Sequence, residues 1–133
     1  QQLTQTLMNG RSGVMAVFPL GSDEDVKGVV NYVRSLSGLV EADEAAKAKA
    51  TVFASYCASC HGADGAGNPM LGAPNLTDNV WLYGGTRSAV MESLNNGRNG
   101  QMPAHREFLG EDKSHLLAAY VFSLSTGQAD EDE

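Results

Sequence analysis

The chain has 133 residues, with 9 Lys and Arg against 16 Asp and Glu, a formal net charge of −7, and only two cysteines. That length suits one domain of ordinary size and hardly two complete ones, and the acidic excess argues against a nucleic-acid binder, whose phosphate contacts need a basic face. Two cysteines cannot make a disulfide scaffold, no apolar run approaches the roughly 20 residues that span a bilayer, and no secretory leader opens the chain, so either a leader was removed or this is part of a longer protein.

Taken in chain order, residues 24–37 place Val26, Val29, Val30, Val33 and Leu36 on the apolar side of a helix. Asp43 can cap the next helix, over 43–57, with Ala46, Ala50 and Phe53 on one face. Residues 62–76 are rich in glycine and hold Pro69 and Pro74, the composition of a loop wrapped closely around something. Thr77 or Asp78 can cap a short helix through Trp81, and Thr86 to Asn95 reads as a helix with Ala89, Val90 and Leu94 inward and Gly97 just beyond. A long loop over 97–110 carries Met102-Pro103. The last helix, about 111–125, sets Leu116, Leu117, Tyr120, Val121 and Leu124 along one stripe. No alternating strand pattern appears, so the fold class is all-α. Asp130 to Glu133 form an acidic tail expected to be solvated and disordered.

An internal repeat underlies this order. Asn9-Gly10-Arg11-Ser12-Gly13-Val14-Met15-Ala16 returns as Asn96-Gly97-Arg98-Asn99-Gly100-Gln101-Met102-Pro103-Ala104. Tyr32-Val33-Arg34-Ser35-Leu36-Ser37 returns as Tyr120-Val121-Phe122-Ser123-Leu124-Ser125, and the two offsets are 87 and 88. At that offset the first copy's counterpart of Cys57 would fall before residue 1. Residues 1–40 therefore read as the C-terminal part of a preceding domain, 41–127 as a complete domain, and 128–133 as the tail. The charge follows this division. Residues 1–40 balance three basic against three acidic groups, while 41–133 carry six basic and thirteen acidic.

Cys57-Ala58-Ser59-Cys60-His61 is the attachment pattern for a c-type haem. On a helix, positions i, i+3 and i+4 share a face, so both thiols and the imidazole project together. The thiols can then add to two vinyl groups of one porphyrin edge while the imidazole reaches the iron. A zinc site would need further ligands at metal spacing, and only His105 and His115 remain as histidines. A dithiol redox pair normally follows a strand, which is absent ahead of Cys57. One haem c is the expected cofactor, with Cys57 and Cys60 as anchors and His61 on iron.

A second axial ligand is needed unless the site binds a gas. Met91 falls in a helical stretch, and Met70 follows His61 by only nine residues, on the histidine side of the ring. Met102 lies 41 residues beyond His61, and Pro103 keeps it out of helical conformation. A thioether there favours ferrous iron, and Met102 is the expected sixth ligand. Met15 stands at the same place in the truncated repeat, as the former ligand of a preceding haem.

These residues resemble a class I cytochrome c domain over Lys49–Ser125. More narrowly the chain resembles the second haem domain of the dihaem subunit P of cbb3-type cytochrome c oxidases. The resemblance rests on Cys57–Gly62, the Leu71–Asp78 stretch, Trp81-Leu82-Tyr83-Gly84-Gly85, Asn96–His105 and Leu116–Ser125. It implies a helical fold around one covalent haem, with the Pro74 carbonyl holding the axial histidine. It also implies Phe53 and Tyr120 as the aromatics where first and last helices cross. One departure is Lys49, where the family often has glycine eight residues before the first cysteine. Trp81, Tyr83 and Arg98 are candidate partners of the haem propionates.

The expected function is electron transfer through a low-spin His/Met haem toward a terminal oxidase, with no substrate turned over by this domain. A stand-alone or tandem soluble carrier of the dihaem cytochrome c type and a gas-binding sensor are the alternatives. The expected partners are donor cytochromes and oxidase subunits, with a basic docking face suited to the acidic surface. Haem c attachment places the domain in the periplasm or on the periplasmic face of a membrane.

Overall fold

A computed structural model describes residues 1–126, so the acidic tail lies outside the described residues. Helix α1 (Gln2–Asn9) leads into strand β1 (Arg11–Met15) and helix α2 (Asp23–Leu36). Short helices α3 (Glu44–Lys47) and α4 (Ala50–Val52) follow, then a π-helical turn (Phe53–Cys57) and α5 (Ala58–His61). After an irregular stretch come α6 (Arg87–Asn96), strand β2 (Arg98–Met102) and α7 (Arg106–Thr126). The architecture is thus mainly helical, and the two strands are an addition to the all-α expectation.

Local chemistry sets the boundaries. Ser22 and Asp25 form a reciprocal capping box at the start of α2, and Asp43 and Thr86 cap α3 and α6 through their side chains. Within α7, Gly110 leaves helical geometry at φ +76°, so the main rod starts one residue later. That start matches Asp23 of α2 at the 88-residue offset. The expected short helix through Trp81 is replaced by side-chain turns, in which Asn75 accepts from the Thr77 N–H and Asp78 from that of Val80.

The strands form because the two repeat loops pair with each other in a two-stranded sheet. Gly10 and Gly97, at φ +69° and +68°, end their helices in the same left-handed geometry. A methyl group at Gly10 would strike the Met102 carbonyl, and one at Gly97 the Met15 carbonyl, so the strands run antiparallel. The arginine that follows each glycine bonds back five residues, Arg11 to Thr6 and Arg98 to Ser93.

The described residues divide into two compact units, one of residues 13–99 and one of residues 1–12 with the described part of the chain from 100 on. The 13–99 unit holds the larger core, Val26, Val29, Val30, Val33, Phe53, Leu76, Val90 and Leu94, with Val29 and Val30 fully buried. Its lining helix is α2, which supplies the four valines of the cluster that lie between 26 and 33. In the other unit α1 packs on α7, where Leu7, Met8, Ser114 and Ala118 are buried and the Leu7 carbonyl accepts from the His105 N–H.

This arrangement changes the predicted helix crossing. Phe53 pairs with Tyr32, ring centroids 5.5 Å apart and tilted by 58°, where the family resemblance pointed to Tyr120. Tyr120, in the other unit, is exposed, as are Leu116 and Leu124 from the predicted apolar stripe. Close approach at Lys49 comes from Gly28 of α2, where an added methyl would lie 3.0 Å from the Lys49 stem.

Candidate haem site

The 13–99 unit carries Cys57, Cys60 and His61 on successive turns at the end of one helical segment. The π-helical turn over Phe53–Cys57 lets Phe53 enter the core while Cys57 packs against the edge of the same cluster. Both cysteines are free thiols, Cys57 half-buried and Cys60 exposed. Burial, and then the neighbouring Cys60, push the Cys57 thiol above its ordinary range.

His61 is buried at 8% exposure. Its Nδ1 lies 3.0 Å from the Pro74 carbonyl oxygen. A carbonyl can only accept, so Nδ1 carries the proton and donates, and the Nε2 lone pair is left for a metal. The loop that brings Pro74 there is pinned from both sides. The Gly67 N–H donates to the His61 carbonyl at 2.7 Å, and the Leu76 N–H to that of Gly65 at 2.7 Å. Gly67, at φ +86°, lets its backbone lie against Pro74 and Asn75, where any Cβ would meet backbone atoms at 2.7 Å.

Trp81 lines a cleft with Arg34, Leu39, Asn79 and Thr86. Its indole Nε1 is buried without a hydrogen-bond partner, a donor awaiting an acceptor. Arg98 is otherwise engaged. Its Nε donates to Ser93 Oγ at 2.9 Å, its NH2 reaches the Ala89 carbonyl at 3.4 Å, and the guanidinium lies 4.2 Å above the Tyr83 ring. Glu92 stands 3.8 Å away.

The methionines divide between the units. Met102 belongs to the segment that starts at residue 100, whereas Met15, its repeat equivalent, belongs to the unit of His61 and packs against the core cluster that Cys57 also touches. Met70 is almost fully exposed, and Met91 packs on the core as its helical position predicts. His105 lies with Met102 in the other unit, and among the described residues no three His, Cys, Asp or Glu side chains gather to offer a zinc site. Two free thiols, a buried imidazole with an oriented Nδ1–H and an orphaned indole donor fit a covalent haem.

Among the described residues no helix is long and apolar enough to cross a membrane. The family described as cytochrome c oxidase, cbb3-type, subunit III matches residues 44–121. The cbb3-type oxidase subunit FixP of Azorhizobium caulinodans is 42% identical across 96% of this chain and 47% of its own length. Subunit CcoP of Rubrivivax gelatinosus is 42% identical across 93% of the chain and 41% of its own. CcoP of Cereibacter sphaeroides is 46% identical across 75% of the chain and 34% of its own. The chain thus spans about half, or less, of the curated relatives it matches. With the haem-attachment turn, the Pro74 anchor and these similarities together, the chain belongs to the cbb3-type cytochrome c oxidase subunit III family.

Proposed function

We propose that this chain is an electron-transfer domain with one haem c, relaying electrons from donor cytochromes toward a cbb3-type terminal oxidase. The observation that carries the reading is the buried His61, fixed through Nδ1 by Pro74 on the turn that bears both thiols. Haem c held there supplies a one-electron Fe(III)/Fe(II) couple. The protein's part is to anchor and orient. Cys57 and Cys60 provide the thioether sulfurs, and the Pro74 carbonyl sets the plane of the imidazole and raises its basicity. The core behind Cys57 excludes water from that side. Trp81 offers its unpaired N–H to a propionate, with Tyr83 and Arg98 as further candidates at the loop edge.

Met102 would supply the second ligand to the iron, on the strength of its place 41 residues beyond His61 and of Pro103 after it. Ferrous and ferric spectra with and without carbon monoxide test both points. The parent chain is expected to be low-spin and closed to carbon monoxide. Met102→Ala should open the iron and abolish the near-infrared band of thioether-ligated ferric haem, while Met15→Ala leaves that band in place. The opposite pair of results moves the role to Met15, and ready binding of carbon monoxide by the parent refutes methionine ligation altogether.

The finer setting belongs to the same reading. The acidic surface suits a donor or acceptor with a basic face, with association slowing as salt rises. Haem c attachment puts the domain on the periplasmic side of the membrane.

A further inference from the structure

Helix α6 carries an arginine folded back along its own length. The helix ends at Gly97, and the next residue, Arg98, turns its side chain back toward the helix start. Its Nε donates to Ser93 Oγ at 2.9 Å and its Nη2 to the Ala89 carbonyl at 3.4 Å. Arg11 makes the same backward bond to Thr6 in the other repeat, so the fold-back belongs to the repeated pattern. At the start of α6 the chain supplies a second support. Gly84, at φ +97°, closes a turn in which its N–H donates to the Trp81 carbonyl at 3.1 Å, and Thr86 then caps the helix. The turn packs on α6, since a methyl group added at Gly84 would lie 3.5 Å from the Ala89 side chain. Tyr83 sits in this turn, and the Arg98 guanidinium lies over its ring at 4.2 Å from the centroid. All of these residues belong to the 13–99 unit.

We infer that Tyr83 is a positioning residue for Arg98, and that the Arg98 guanidinium, not the Tyr83 hydroxyl, pairs with a haem propionate. The inference rests on the haem reading above and gives two of its candidates different parts. Tyr83 is exposed, so water can serve its hydroxyl, while the face of its ring is already engaged. The Arg98 side chain is only 22% exposed and is held by Ser93, by the Ala89 carbonyl and by that ring. A guanidinium held in this way has already lost the rotamer freedom that binding would cost it. Its remaining N–H donors keep the planar fork that a carboxylate accepts. Glu92 stands 3.8 Å away and is 61% exposed, an ion pair too long and too well solvated to fill that fork. A propionate is the carboxylate that haem brings. A fixed positive charge beside it favours ferrous over ferric haem, because the ferric state carries one more positive charge. Tyr83 thus acts on the potential through Arg98.

The test reads the ring contact and the potential separately, on a chain whose haem content is known from its intact mass. In the ferrous haem-loaded chain the Arg98 side-chain proton signals should lie upfield, in the ring current of Tyr83. Tyr83→Leu should abolish that shift and lower the midpoint potential. Tyr83→Phe keeps the ring face without the hydroxyl, and should rescue both the shift and the potential. Arg98→Gln should lower the potential in the same direction, and adding Tyr83→Leu to it should lower it no further. An unchanged potential in Arg98→Gln overturns the inference. So does a potential in Tyr83→Phe that falls as far as in Tyr83→Leu, which would give the role to the hydroxyl. Additive shifts in the double variant overturn it as well, since the two residues would then act independently. A parent chain without the upfield shift removes the ring contact itself. A chain that carries no haem but keeps the shift fails the haem reading, and the propionate pairing with it, while the ring contact stands.

Discussion

Val30→Ala should report how far the packing of α2 holds the 13–99 unit together. Val30 is fully buried in the cluster with Phe53, Leu76, Val90 and Leu94. Replacing it removes two methyl groups at about 0.8 kcal/mol each from transfer alone. The cavity they leave adds to that, for a total of about 2–3 kcal/mol. For a unit the size of residues 13–99, each kcal/mol moves the midpoint by roughly 4–8 °C, so a fall on the order of 10 °C is expected. The control is Leu116→Ala on α7. It takes more carbon away, but from a side chain 71% exposed, and should stay within about 0.5 kcal/mol of the parent. Far-UV circular dichroism of the haem-loaded chain, melted by heat and in urea, measures both. A near-neutral Val30→Ala beside a costly Leu116→Ala would refute the packing of α2 in that core.

Two further outcomes follow from single polar contacts. The hydrogen bond from Lys49, and after it those from Ser22, hold the Asp25 carboxyl well below its ordinary 3.8, so this contribution is fully present above about pH 4 and is lost as pH falls further; Asp25→Asn should lower the midpoint at pH 6 and flatten its decline between about pH 4 and 2.5. Trp81→Phe keeps the ring and removes the N–H, and should cost the haem-loaded chain about 0.5–1.5 kcal/mol and shift its midpoint potential; an unchanged potential in a redox titration would remove Trp81 from the propionate partners.

Much of the site was readable because its chemistry is local. Cys57, Cys60 and His61 sit within five consecutive residues, and the helix period alone brings them to one side. Pro74 is a different matter. Its carbonyl reaches His61 through a loop whose path depends on Gly67, and only the family resemblance pointed to it. The repeat was plain in the sequence, yet its strands were not. Arg11–Met15 and Arg98–Met102 have no alternating apolar pattern, and each is extended because it pairs with the other copy. Helix α1 went unpredicted, although shifting α6 back by 87 residues lands on it. The partner of Phe53 was beyond reach of periodicity, since α2 and α7 present the same stripe.

The unit that folds around the haem motif runs from 13 to 99, while the sequence repeat suggests a boundary near 40. The stretch that repeats in the sequence is therefore not the unit that packs. A gene cut at residue 41, the place a repeat alignment recommends, would carry every haem-attachment residue and yet leave behind Met15 and the helix that covers Phe53. A gene spanning 13 to 99 would keep both and discard Met102. Sequence likeness and side-chain packing draw their borders in different places.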